Sequence, residues 1–303
     1  MEQAECVGII GGNKKVLRNS KSLNLKVINI IKEEQDNEVL QALADKTVVM
    51  KDYEDLDALE PVVKELYQKY QFPSVISLTE TGLIPAAYMN EKLGLKGVSL
   101  KTVKLLKDKM QMRKLLNEKG ISPLLYKVGS DKQEIGDFFN TVKEAIILKP
   151  VDGCGSLGIY KITSEEDVDR VWQYVKELGL NEFLLEEYID GSEVSVEAFS
   201  YEGKHNIIGI TDKVTQENFV EIGHSIPSRL DKKTQQDIVE LVEKFLDAIG
   251  LQDGPSHTEI KISTRGLKII ESHNRIGGDK IGNLVNMVYN VNMIQLTFDW
   301  LVL

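Results

Sequence analysis

Short apolar runs and amphipathic stretches alternate through the first ninety-odd residues. CVGII (6–10), KVINII (26–31), TVVM (47–50) and SVISL (74–78) predict strands. Between them Leu56, Leu59, Val62, Val63 and Leu66 recur at helical spacing and predict one buried helix face. Strands alternating with helices imply a parallel sheet covered on both sides, a Rossmann-like arrangement. Gly8 and Gly11-Gly12 lack GxGxxG spacing, so they predict a tight strand-to-helix turn rather than a dinucleotide site.

From Ser99 the pattern changes. A long helix is expected through Lys119, ended by Gly120 with Pro123 beyond. LLYKV (124–128) and AIILK (145–149) predict strands flanking a helix boxed by Ser130 and Gln133. Ser164 and Asp167 open another helix, with a core stripe of Val168, Val171, Trp172, Val175 and Leu178. EFLLEEY (182–188) is a strand. SEVSVEAF (192–199) alternates, turning Val194, Val196 and Ala198 inward and Glu193, Ser195 and Glu197 to the other face. A helix over 232–249 precedes two strands, TEIKI (258–262) and LKIIE (267–271). The fold class is α/β, becoming α+β in the C-terminal part.

Composition narrows the function. The chain has 303 residues, 42% of them apolar, and a net charge of −10. That balance argues against a nucleic-acid partner, which needs a basic face, but leaves local phosphate binding open. Cys6 and Cys154 are the two cysteines and show no metal-ligand spacing. The acidic N-terminus lacks a leader pattern, and no apolar run nears the ~20 residues that span a bilayer. A soluble, cytoplasmic protein without a membrane partner is expected.

Three segments carry candidate chemistry. In LKPVDGCGSLGI (148–159) a buried strand ends on Lys149 and runs into a loop with Gly153, Gly155 and Gly158. Such glycines let backbone amides face a polyanion, and the lysine adds a point charge; the alternative is an ordinary flexible hairpin. In LLEEYIDGSEVSVE (184–197) the turn at Asp190-Gly191 suits a hinge against which an adenine lies, near Glu187 and Ile189. There Glu186 is placed to accept the exocyclic amine and Glu193 to bind ribose hydroxyls, or these acids simply solvate a strand face. A three-residue loop at Thr264-Arg265-Gly266 pairs Ser263 with Leu267 and sets Glu259 opposite Glu271. Like charges so placed repel unless a cation lies between them, either magnesium or Lys261 on the same face. Arg275 before Gly277-Gly278-Asp279 suits carboxylate binding, and His224, His257 and His273 lie near these acids.

In this order the segments resemble the ATP-grasp superfamily, and within it the carboxylate–amine ligases that include L-amino-acid (dipeptide) ligases and carnosine synthase. SLTETGLIPAA (77–87), DKMQMRKLL (108–116), FVEIGHSIPSRL (219–230), GPSHTEIKIS (254–263) and IIESHNRIGGDKI (269–281) extend the likeness over nearly the whole chain. The resemblance implies a Rossmann-like pre-ATP-grasp domain (1–95), a lid subdomain with a mobile loop (96–187) and a C-terminal subdomain holding metal and substrate (188–303). It implies ATP and magnesium, or manganese, as cofactors. Lys109 and Lys149 become phosphate contacts, as do loop residues Gly153, Gly155, Ser156 and Gly158. Glu186, Glu187, Tyr188 and Ile189 become the adenine hinge, and Glu193 the ribose carboxylate. Glu259, Glu271 and Asn274 become metal ligands. His273 stands where many relatives carry a metal-site asparagine, with Asn274 next to it. Glu221 and His224 match positions that hold a substrate amino group, and Arg275 one that faces its carboxylate or acyl phosphate.

The expected reaction joins a small carboxylate to an amine, on amino-acid substrates, through an acyl phosphate with release of ADP and phosphate. A homodimer is the expected assembly. Relatives continue beyond this point, so a minimal or shortened member is expected. An ATP-grasp ligase of another metabolite class and a non-catalytic nucleotide binder are the alternatives.

Overall fold

The computed structural model describes residues 5–151, 158–216 and 219–302. The chain opens with β1 (Cys6–Ile10), α1 (Lys14–Ser22), β2 (Lys26–Lys32), α2 (Glu38–Leu43), β3 (Lys46–Met50), α3 (Leu56–Tyr70), β4 (Val75–Ile76) and α4 (Leu83–Leu93). These strands form a parallel sheet in the order β3-β2-β1-β4. The tight turn after β1 is real: Gly11 takes φ +68, Gly12 N–H donates to Asn29, and Asn13 caps α1. The strand expected over 74–78 shortens to Val75–Ile76, and Leu59, Val63 and Leu66 form the buried face of α3.

The helix expected from Ser99 to Lys119 is broken in two. α5 (Leu100–Lys107) ends where Asp108 leaves the helical region at φ −98, ψ 100, and the same side chain caps α6 (Lys109–Glu118) by accepting from Gln111 N–H. An aspartate competes for backbone donors in this way. The break puts Lys109 at a helix start rather than inside a helix.

A four-stranded antiparallel sheet in the order β5-β8-β6-β7 follows. Its elements are β5 (Tyr126–Gly129), α7 (Lys132–Val142), β6 (Ile146–Pro150), β7 (Tyr160–Ile162), α8 (Glu165–Glu177) and β8 (Phe183–Glu187). The cap of α7 sits one residue later than expected, on Asp131, which accepts from Glu134 N–H. The Ser164/Asp167 box on α8 forms as expected. Val168, Val171 and Val175 are buried, but Leu178 is exposed because the helix has already ended at Glu177.

The rest is a five-stranded antiparallel sheet, β11-β10-β9-β12-β13. It contains β9 (Ser192–Tyr201), β10 (Lys204–Thr215), β11 (Glu221–Ser225), α9 (Lys232–Ile249), β12 (Gly254–Ser263) and β13 (Gly266–His273). Val194, Val196 and Ala198 pack on Val242, Phe245 and Leu246 of α9 and on Leu106, Met112 and Leu116 of the broken helix. After α10 (Ile281–Tyr289), α11 (Met293–Val302) carries Phe298, Trp300 and Leu301 back onto Val7, Ile9 and Leu17 of the parallel sheet and its helix. The ends of the described chain are thus packed together, and the cleft lies between the two antiparallel sheets. Among the described residues, no helix is long and apolar enough to cross a membrane.

Candidate active site

The hairpin that carries the two central glutamates is built differently from its expected form. Ser263 pairs with Gly266, not Leu267, around a two-residue Thr264-Arg265 turn, with Gly266 at φ +90. Carried inward, that register would set Glu259 against Ile270. A bulge between Glu259 and Ile260 adds one residue to β13 and restores Glu259 opposite Glu271. Ile260 and Ile269 stay in the core, while Ile270 turns to the cleft.

The cleft, about 700 Å³, is bordered by Lys149, Glu187, Tyr188, Ile189, Glu193, Glu259, Lys261 and Glu271. At one end β8 and β6 bring Glu186 beside Lys149. Glu186 accepts from Lys149 Nζ at 2.6 Å and from Arg113 Nε at 2.5 Å, all three buried. Burial raises a carboxyl group, but Arg113 and Lys149 together hold Glu186 down at about 2. Both its oxygens are engaged by cations, so its side chain positions Lys149 instead of awaiting an amine. Glu187 is tied to Leu125 N–H and to Arg265, and the Tyr188 ring lies under Lys161 Nζ at 3.7 Å. Gly158 takes φ +80 against Pro150. Gly153, Cys154, Gly155 and Ser156 lie outside the described residues.

At the other end the acids gather round a lysine that sequence reasoning missed. Lys213 Nζ, fully buried, sits 2.7 Å from Glu193, 2.6 Å from Glu221 and 2.8 Å from Glu259. Burial lowers an ammonium, but Glu259 and Glu193 hold Lys213 well above its ordinary range. Lys261, the alternative to magnesium as neutraliser of the glutamate pair, meets Glu193 at 3.2 Å. Strand alternation carried a signal: Lys213 and Lys261 are both direct cross-strand partners of Glu193. Glu259 is held well below the usual carboxylate range, against its burial, by His257 and Lys213. Glu271 is also lowered: burial and Glu259 push it up, while His273 at 3.4 Å and Lys109 at 3.5 Å pull it down.

Glu193, Glu221 and Glu259 offer oxygens within 4.8 Å of one another, a hard donor set that fits a divalent cation. Glu259 and Glu271 border the same cleft. Asn274 does not join them. It lies one residue past the end of β13, is buried, and lines a separate cavity with Thr297 and Trp300. His273, two positions on, faces Glu271 and Glu80.

An adjoining cavity of about 820 Å³ is shared by Glu259, Glu271, Glu221, His257, Arg275 and Asp279. His224 pairs with Glu221 at 2.7 Å. Arg275 donates to Glu80 at 2.5 Å, and Glu80 also meets Lys107 at 2.9 Å. Glu80 and Arg113 were not foreseen either. A charged residue in the buried stripe Lys109, Met112, Arg113 and Leu116 was the available signal for Arg113.

Comparison with known proteins bears on the family and the fold. Residues 142–283 match the ATP-grasp domain family, and residues 19–97 the ATP-grasp N-terminal domain family. The alanine–anticapsin ligase of Bacillus subtilis (strain 168) is 28% identical over 267 residues, 80% of this chain and 56% of that protein. Carnosine synthase 1 of Gallus gallus is 28% identical over 116 residues, 38% of this chain and 12% of that protein. The crystal structure of L-amino acid ligase from Bacillus licheniformis superposes with a TM-score of 0.84 at 23% identity, over 98% of this chain and 74% of that one. The chain spans little more than half the length of the first curated relatives it matches.

Proposed function

This chain is a member of the ATP-grasp superfamily, and on that premise we propose that it is an ATP-dependent carboxylate–amine ligase acting on amino acids. The observation that carries the reading is continuity. Lys149 and the 187–189 segment share one cleft with Glu259 and Glu271, and those two glutamates also line the cavity that contains Arg275 and Glu221. A nucleotide laid along the first would present its terminal phosphate to a substrate in the second. Relatives named as amino-acid ligases support the substrate class.

In this reading Lys149 and Lys109 contact phosphate oxygens, the backbone of 187–189 borders the adenine, and Glu193 receives the ribose. Glu259 and Glu271 would hold magnesium, or manganese in its place, and the ion would supply charge that neutralises the phosphates. A substrate carboxylate oxygen attacks the γ-phosphorus, the bond from that phosphorus to the bridging oxygen breaks, and ADP leaves with the electron pair. Arg275 faces the resulting acyl phosphate. An amine nitrogen then attacks the acyl carbon, the carbon–oxygen bond to phosphate breaks, and the nitrogen loses a proton. Glu221 and His224 orient the substrate amino group. Positioning and fixed charge do the catalytic work, with no covalent enzyme intermediate.

The nucleotide products test this. Chromatography after incubation with ATP, magnesium and mixed amino acids should show ADP with phosphate, and hydroxylamine should trap the activated acid as a hydroxamate. AMP with pyrophosphate would sink the acyl-phosphate route. Absence of turnover across a broad amino-acid screen, with nucleotide still bound, would favour a non-catalytic binder.

A further inference from the structure

Glu197 is a carboxylate that the reaction above does not use, and it is 0% exposed. A charge buried to that depth is costly unless it is fully paired. Its two oxygens face different parts of the site. One accepts from His257 Nδ1, and the other accepts from Gly277 N–H at 3.0 Å. The opposite edge of the His257 ring, Nε2, lies 3.2 Å from Glu259. Gly277 lies between Arg275 and Asp279, on the loop that borders the substrate cavity.

The loop presses close on this pair. A Cβ on Gly277 would come within 2.8 Å of both Glu197 Oε1 and His257 Nδ1. Either the loop or the carboxylate–imidazole pair would have to move. Movement of Glu197 is therefore transmitted along one arm to Glu259 and along the other to the Arg275 loop. The central strand β9 fixes the pivot, since Glu197 pairs across the ladder with Gly209 on one side and His257 on the other.

We propose that Glu197 is a positioning residue that couples the metal-binding carboxylate Glu259 to the arginine loop 275–279, so that metal–nucleotide binding and the geometry of the substrate loop are linked. The proposal rests on the metal–nucleotide reading of the cleft. It adds a coupling between two sites, carried by one buried carboxylate and one histidine, and coupling of this kind acts equally in both directions.

Two readouts test it without turnover: calorimetric titration of ADP in saturating magnesium, and hydrogen exchange at the Gly277 amide. Glu197→Gln keeps the shape but leaves one of the two donors unpaired. It should weaken magnesium-dependent ADP binding about tenfold, as loss of outer-shell support does, and speed Gly277 exchange by about the same factor. His257→Gln should weaken ADP binding similarly yet leave Gly277 exchange slow. The double variant should bind no worse than either single one, because both changes cut the same arm. Gly277→Ala reaches the arm from the loop and should also weaken ADP binding, although its added methyl meets Glu197 and His257 first, not the metal-binding Glu259. If Glu197→Gln does not fold, His257→Gln and Gly277→Ala carry the test. Unchanged ADP affinity in Gly277→Ala, or additive losses in the double variant, would overturn the coupling. Failure of the unsubstituted protein to bind magnesium–ADP would count against the ATP-binding reading instead.

Discussion

Two clusters of buried charge stand at the two ends of the cleft, and they are built in opposite ways. Around Glu186 one carboxylate is shared by two cations, Arg113 and Lys149. Around Lys213 one ammonium is shared by three carboxylates, Glu193, Glu221 and Glu259. In the first cluster Lys149 borders the cleft, which suits phosphate, while Arg113 stays buried behind it. The second presents unspent negative charge, which suits a divalent cation. Such buried ions seldom repay their desolvation relative to apolar side chains, although removing one partner of a formed cluster is costly. On the proposed reading, the two ends together suit a metal-bound polyphosphate.

The comparison breaks most visibly at Lys213. Lys213→Met leaves three acids facing one another without a central cation, and removing one partner of a buried ionic cluster costs about 3–5 kcal/mol. Chemical denaturation should show that loss, and magnesium should restore more stability to the variant than to the unsubstituted protein. A loss that magnesium leaves untouched would mean that the acids do not converge on a cation site.

A somewhat smaller effect is expected at the opposite end. Glu186 is held at about 2 against a reference of 4.5. Its carboxylate therefore contributes stability that is present above pH 4.5 and lost as pH falls toward 2, about 3 kcal/mol in all. Denaturation midpoints between pH 5 and pH 2.5 should fall steeply in the unsubstituted protein and less steeply in Glu186→Gln. Parallel slopes would contradict the assigned ion pairs.

These clusters also mark how far the sequence could be read. Lys149, Glu259, Glu271, Glu193 and Arg275 were legible because each sits beside a local signal: a strand end, a hairpin, an alternating strand or a glycine pair. Lys213, Arg113, Glu80 and Glu197 were harder to read, because each also depends on partners on other elements, up to nearly 200 positions away. The hairpin is instructive. A three-residue loop and a regular ladder give the Glu259–Glu271 pairing, and so do a two-residue loop and a bulge. The expected pairing was met through a different backbone. At the end of β13, His273 faces Glu271, while Asn274, one residue past the strand, lines a separate cavity. The broken helix at Asp108 was legible only as an aspartate inside a helical stretch, and capping won over propensity.

Smaller effects refine the picture. Lys149→Met removes a charge-assisted contact, which should weaken ATP binding about 10- to 100-fold, with the circular dichroism spectrum nearly unchanged. Unchanged affinity would remove Lys149 from the phosphate site. Glu271→Gln should alter stability least, within about 0.5 kcal/mol, because repulsion from Glu259 offsets attraction by His273 and Lys109. Its magnesium affinity should nonetheless fall. Unfolding of this variant would make the acid pair structural.

The most direct test is a calorimetric titration of ADP into the protein, once with magnesium and once with a chelator. Opposed charge clusters in one cleft predict a single nucleotide per chain, bound at least tenfold more tightly with magnesium. Equal affinity with and without the metal would contradict the account.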